Sequence, residues 1–208
     1  MGEIDNKQIL LDSLRSIYGD KLINLYAYGG QVYGVASDQS DLDYIAIVTS
    51  DKEENHMEVS SNKKLDINIF NEKSFLNMIE DNEITSLECL SLLNSFIILQ
   101  SKTFEFKPNL SKLRESISQK SSHSFIKARK KIRYGEYYIG RKSLWHSFRI
   151  IYFGIQMAKY GKIIDFSAAN YLYDDIVLSN NMDEEYYKTK YLGLHNQLMT
   201  EFRKLAPK

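Results

Sequence analysis

The chain has 208 residues, 43% hydrophobic and 26% charged, enough to bury roughly 70% of its extended surface in a core without staples. Its 27 Lys and Arg residues equal its 27 Asp and Glu residues, which argues against a polyanion binder held by bulk charge alone. A single cysteine, Cys89, excludes an intrachain disulfide and a cysteine zinc site; within "LECLSLL" it reads as a small buried apolar side chain.

Residues 4–18 predict an amphipathic helix, because Ile4, Leu10, Leu11, Leu14 and Ile17 recur near a 3.6-residue period. The N-terminal "MGEIDNKQIL" is polar and acidic, unlike a secretory signal. No apolar run approaches the 18 residues of a membrane span, so no membrane partner and a reducing, cytoplasmic location are expected. "LINLYAYG" (22–29) predicts a strand halted by Gly29 and Gly30. "LDYIAIV" (42–48) is a short apolar run of the length of a buried strand. "HMEVSS" and "KLDINIF" flank "SNKK", the pattern of two antiparallel strands and a turn. Residues 72–80 and 84–94 predict helices, and "FIILQ" (96–100) one more strand.

After Pro108 only helical periodicity remains. Leu144, Phe148, Ile151 and Ile155 form one stripe, and Tyr187, Tyr191, Leu194, Leu198 and Phe202 another. The expectation is an α+β fold: a small mixed sheet with flanking helices over residues 1–105, then an all-helical half over 106–208.

The chemistry concentrates in "YGGQVYGVASDQSDLDYIAIV" (28–48). Asp41 and Asp43 are two residues apart, so on a strand both carboxylates share a face. Like charges so placed need something positive between them. Asp66, flanked by apolar residues in "LDINIF", would reach that face from an antiparallel neighbour. Three carboxylates make a hard, oxygen-only ligand set suited to Mg²⁺, and two such ions about 4 Å apart serve an in-line displacement at phosphorus. Gly29 and Gly30 allow backbone N–H groups to face a phosphate with no Cβ between.

At these residues the sequence resembles the polymerase-β-like nucleotidyltransferase superfamily, whose signature is Gly-Gly or Gly-Ser, a spacer, Asp-x-Asp, and a third Asp on a later strand. The resemblance implies transfer of a nucleoside monophosphate from an NTP to a hydroxyl, with release of pyrophosphate. Asp41 and Asp43 match the metal-binding pair. Asp66 matches the third carboxylate, as a metal ligand or as the base for the hydroxyl proton. Gly29 and Gly30 match the phosphate loop, and Ser40 joins them as a nucleotide contact. The implied cofactor is Mg²⁺, two ions, with Mn²⁺ as the alternative, and ATP is the favoured nucleotide. Many members carry Ser where this chain has Gly30.

The helical half is rich in cations. Lys127, Arg129, Lys130, Lys131 and Arg133 fall within two helical turns, and Lys127 and Lys131 are at i and i+4. Lys142, His146 and Arg149 share a face roughly opposite the Leu144 stripe, so they read as a cationic side that would stabilise phosphate charge, which the Lys127 and Lys131 pair would join as further nucleotide contacts. "RKSLWHSFRIIYFGIQMAKYGKIIDFSAAN", with "YGGQVYG", resembles a narrower branch of nucleotidyltransferases associated with RNA repair, in which a comparable helix packs beside the catalytic domain. That resemblance implies an RNA end as acceptor. Tyr134, Tyr137 and Tyr138 are candidates for base stacking, with core or rim packing the plainer reading. His56, His123 and His195 show no metal-ligand spacing and read as ordinary. Two alternatives stand beside the RNA reading: transfer to a protein or small-molecule hydroxyl, and a pseudoenzyme that only binds nucleotide or RNA.

Overall fold

The computed structural model describes residues 6–50, 55–60 and 64–207. Ile4, the start of the expected first helix, and most of the expected turn after "HMEVS" lie outside them. The chain divides into two compact units. One holds the residues up to Glu80 together with Glu88–Phe106; the other holds Asp81–Leu87 and everything from Lys107 on.

The first unit opens with helix α1 (Asn6–Tyr18), which buries Leu10 and Leu14. Strand β1 (Leu22–Tyr28) leads through Gly29 into a single helical turn, α2 (Gly30–Tyr33). Then come β2 (Leu42–Val48), β3 (Asn55–Ser60), β4 (Lys64–Asn71), α3 (Glu72–Glu80), α4 (Ile84–Leu90) and β5 (Ile97–Gln100). The strands form one mixed sheet in the order β3-β4-β2-β1-β5. β3 and β4 are antiparallel, as expected of the hairpin. β4, however, runs parallel to β2, where the sequence reading placed Asp66 on an antiparallel neighbour. The reason is topological: β3 reverses the chain at the sheet edge, so the next strand returns in the direction of β2.

Cross-strand register sorts the side chains into two faces. Leu25, Ala27, Tyr44, Ala46, Leu65, Ile67 and Ile69 fill one face and are all buried. On the other, Tyr26, Ile45 and Ile47 join Phe75 and Ile79 of α3, Cys89 and Phe104 in a core. β2 is thus covered on both faces over most of its length, which explains its continuous apolar run. Cys89 is a buried free thiol in that core.

The second unit is helical. α5 (Leu110–Arg133) and α6 (Tyr137–Tyr160) are long helices, followed by the short α7 (Tyr173–Ile176) and then α8 (Glu184–Leu205). α5 starts at Asn109, whose side chain accepts from the Lys112 backbone N–H, and α8 starts at Asp183, which caps Glu185 in the same way. α5 and α6 approach closely where α6 has glycine. A Cβ at Gly140 would stand 2.5 Å from Ile132 Cγ1, and one at Gly154 2.8 Å from Ile117 Cγ2. These pairings, with the Ser121 hydroxyl donating to the Ser147 carbonyl at 2.9 Å, set the two helices antiparallel. α8 adds Tyr187, Tyr191, His195, Leu198, Met199 and Phe202 to the same core. Among the described residues no helix is long and apolar enough to cross a membrane.

Candidate functional site

Within the sheet, Asp43 on β2 lies directly opposite Asp66 on β4, and Glu58 on β3 lies directly opposite Asp66 on its other side. Three carboxylates therefore stand abreast on three adjacent strands, on the face that carries Ile45 and Ile47 further along β2. Asp43 and Asp66 are half-buried. Asp41 precedes the first residue of β2 and is exposed, so it belongs to the loop leading into the strand and not to the strand face.

Gly29, the residue after β1, lies against the Asp43 end of this row. Its φ of 71° and ψ of −150° lie in a region essentially restricted to glycine. A Cβ there would stand 2.0 Å from Asp43 Oδ2. The chain uses glycine at this point because the Asp43 carboxylate rests against the Gly29 backbone. Gly30 is different: its Cβ would meet only Ala36, at 3.6 Å, an ordinary contact. The single turn α2 is anchored from below. Val32 and Tyr33 are buried, the Tyr33 hydroxyl donates to the buried Glu88 carboxylate at 2.6 Å, and the Gln31 side-chain amide donates to the Asp43 carbonyl at 2.6 Å. Ser40 is committed to a local turn. Its Oγ accepts from the Ser37 backbone N–H at 2.9 Å and lies 3.1 Å from Ser37 Oγ.

Among the described residues, the group of three metal-ligating side chains whose atoms converge is His56, Glu58 and Asp66, all within 4.8 Å of one another. Of the three predicted carboxylates this group contains Asp66 alone. His56 Nε2 is 2.5 Å from Asp66 Oδ1, and Lys64 Nζ is 2.7 Å from Glu58 Oε1. The Lys64 ammonium is held above its ordinary pKa, chiefly by its hydrogen bond to Glu58, with Asp41 and Asp66 adding to the effect. Sequence reasoning missed His56 and Glu58. The signal was the alternation His-Met-Glu on the strand preceding Asp66, which puts both side chains on one face.

The predicted phosphate-binding cations lie in the second unit, and the structure separates them. Lys127 and Lys142 are exposed, and neither has an ion pair among the described residues. Lys131 pairs with Glu136 at 2.7 Å. Arg149 is 5% exposed. Its Nε donates to His146 Nδ1 at 3.1 Å, and its guanidinium stacks over Phe153, 5.0 Å from the ring centroid. His146 is pushed well below its ordinary pKa by burial first, then by Arg149, Lys142 and Lys127, so it is neutral at pH 7. The expected cationic side of α6 thus reduces to Lys142. The cause is packing: Trp145, Ile150, Phe153 and Met157 are buried besides the Leu144 stripe, so α6 is enclosed nearly all round.

The upstream basic run is largely neutralised within its own unit. Arg129 and Arg133 both bond to Glu184. Burial alone would raise the Glu184 pKa, but the hydrogen bonds from Arg133 and Arg129 outweigh it and the net shift is downward. Tyr134 and Tyr138 are exposed, and Tyr137 is half-buried. His195 is a satisfied core residue. The hydroxyl proton of Ser121 goes to Ser147, so the imidazole Nε2–H, 2.9 Å away, donates to Ser121 Oγ. Two surface grooves of this unit, of about 470 and 560 Å³, run along α5 past Glu115 and Gln119 and hold none of the predicted site residues.

No protein-family model matches the chain, and no curated protein does. Among solved structures it is similar to the crystal structure of a nucleotidyltransferase-like protein from Exiguobacterium sibiricum 255-15. The identity is 15% and the TM-score 0.39, over 94% of this chain and 78% of that one.

Proposed function

We propose that the chain transfers a nucleoside monophosphate from an NTP to a hydroxyl, with Asp41, Asp43 and Asp66 holding the divalent cation. The observation that carries this reading is the in-register pair Asp43 and Asp66 on neighbouring strands, with Gly29 pressed against the Asp43 carboxylate. Oxygen donors from adjacent strands fit a hard ion such as Mg²⁺ or Mn²⁺. Bound there, the ion supplies charge neutralisation for the triphosphate and acidifies the attacking hydroxyl. The chain's own residues do the rest. Gly29 lets α2 begin beside the carboxylates, so that its first backbone N–H groups, which lack intrahelical partners, receive phosphate oxygens. In the reaction the acceptor hydroxyl gives its proton to Asp66 or to solvent, its oxygen bonds to the α-phosphorus, the bond from that phosphorus to the bridging oxygen breaks, and pyrophosphate leaves. In the helical unit, Lys127 and Lys142 are the cations of this set left available to a phosphate. ATP is the proposed donor.

The proposed acceptor is an RNA end. A second reading, transfer to a small-molecule or protein hydroxyl, gains from one finding: Arg129, Lys131 and Arg133 are already paired with Glu184 and Glu136, which removes much of the charge an RNA would use. The test is incubation with NTPs labelled on the α-phosphate, Mg²⁺, and separate pools of RNA, protein and metabolites. Label on one pool with the wild type and none with Asp43→Asn is the expected result and names the acceptor class. Equal labelling by wild type and Asp43→Asn refutes the site.

A further inference from the structure

We propose that the outer edge of the sheet carries a distinct cation site, made by His56, Glu58 and Asp66, that takes a transition-metal ion such as Zn²⁺ or Co²⁺ in preference to Mg²⁺. The inference needs only these three side chains and stands apart from the nucleotidyl-transfer reading, with which it shares Asp66.

The site follows from the hairpin. His56 and Glu58 are two residues apart on β3 and so project from one face. Glu58 is directly opposite Asp66 on β4, and His56 is opposite Asn68, one step along that face. The result is one imidazole nitrogen and two carboxylate oxygens within 4.8 Å of one another. A mixed nitrogen and oxygen set is what distinguishes this group from Asp41, Asp43 and Asp66. Imidazole suits Zn²⁺, Co²⁺ and Ni²⁺, whereas Mg²⁺ takes oxygen ligands and keeps its waters. Three protein ligands leave a tetrahedral ion one open position, as in zinc sites that bind water or substrate.

The edge position of β3 gives an ion a direct path from solvent. The His56 and Glu58 side chains are 49% and 53% exposed, and Asp66 is 25% exposed. In the structure positive charge already lies at the group, because Lys64 Nζ pairs with Glu58. A bound cation would displace that ammonium, so Lys64 opposes occupancy, and replacing it should strengthen binding. The imidazole and the Asp66 carboxylate, now hydrogen-bonded at 2.5 Å, need only separate by roughly an ångström to share an ion about 2.1 Å from each.

The experiment titrates the full chain with Co²⁺ in the presence of excess Mg²⁺, read by visible absorption and by calorimetry. The expected result is one Co²⁺ equivalent with the absorption of a four-coordinate site, undiminished by Mg²⁺. His56→Ala should weaken it by about tenfold or more, His56→Ala with Glu58→Gln should abolish it, and Lys64→Gln should tighten it. Asp43→Asn should leave it in place, and His123→Ala controls for adventitious imidazole binding. Co²⁺ affinity unchanged in His56→Ala, or lost to excess Mg²⁺, overturns the proposal. The two readings fail separately. Loss of label transfer in Asp43→Asn with intact Co²⁺ binding supports both. Co²⁺ binding by a wild type that labels nothing leaves this site standing alone.

Discussion

Gly29→Ala offers the sharpest test of the candidate site, because its neighbour provides an internal control. At Gly29 an added methyl meets two obstacles. The backbone region with φ of 71° and ψ of −150° costs a non-glycine residue about 1–3 kcal/mol. The Cβ would also fall 2.0 Å from Asp43 Oδ2, so the carboxylate must retreat by more than an ångström. A side chain driven off its rotamer adds about 0.5–1.5 kcal/mol, and the total is about 1.5–4.5 kcal/mol. At Gly30 the methyl finds only Ala36 at 3.6 Å, and reduced freedom of the unfolded chain should stabilise by about 0.4–1 kcal/mol. The assays are urea denaturation, Mg²⁺ binding by calorimetry, and label transfer. Gly29→Ala should lose stability and also Mg²⁺ affinity, since the displaced group is a proposed ligand. Gly30→Ala should keep both. Equal behaviour of the two variants refutes the close approach of Gly29 to Asp43. Loss of transfer in Gly30→Ala with normal folding and Mg²⁺ binding would instead locate a phosphate against that Cα.

Other outcomes follow from the helical unit. Gly140→Ala should destabilise by about 1–3 kcal/mol, because its Cβ meets the Ala128 carbonyl and the Ile132 amide at 2.9 Å. Gly193→Ala, with nothing within 4 Å, should stabilise α8 by up to about 1 kcal/mol; denaturation midpoints check both. His195 is depressed to about 4, chiefly by burial. The unfolded chain therefore takes up this proton first as pH falls, so stability is full above about pH 6.5 and declines towards pH 4 by roughly 3 kcal/mol. His195→Gln should flatten that decline in a series of melting temperatures against pH, and an unchanged slope would assign it to other groups. Lys127→Ala with Lys142→Ala should leave stability unchanged, since both side chains are exposed, whereas Arg149→Ala should unfold the unit more readily, since that guanidinium is buried. If RNA is the acceptor, its affinity should fall measurably with salt, and a flat dependence favours a small acceptor.

The elements were legible where one pattern dominated locally. The α1 stripe, the two apolar strands, the hairpin and the strand at "FIILQ" each rest on periodicity over a few residues. The pairing of β2 with β4 was not legible. Nothing local to "LDYIAIV" or "KLDINIF" states which runs beside which, and the direction depends on β3 being an edge strand. The site divides in the same way. That Asp43 and Asp66 share a face was readable, because strand alternation fixes it. His56 shows no ligand spacing along the chain, because its partner Asp66 is reached across a hairpin.

Charge was the least legible quantity, for a reason with consequences for the acceptor. Counting cations along α5 gives five in two turns, but their effect depends on anions that arrive from elsewhere. Glu184, at the first turn of α8, binds Arg129 and Arg133 together, and Glu136, just beyond the end of α5, binds Lys131. A carboxylate accepting from two guanidiniums while 11% exposed is held by geometry as well as by attraction, since each loss would leave a desolvated charge uncompensated. For an RNA to recruit Arg129 and Arg133 it would have to break that arrangement, and its phosphates would gain little over the carboxylate they replaced. Lys127, Lys130 and Lys142 carry no such partner among the described residues. Of these α5 and α6 cations, three lysines are thus left for a polyanion, which by counterion release predicts a salt exponent on the order of 2–3 from this set.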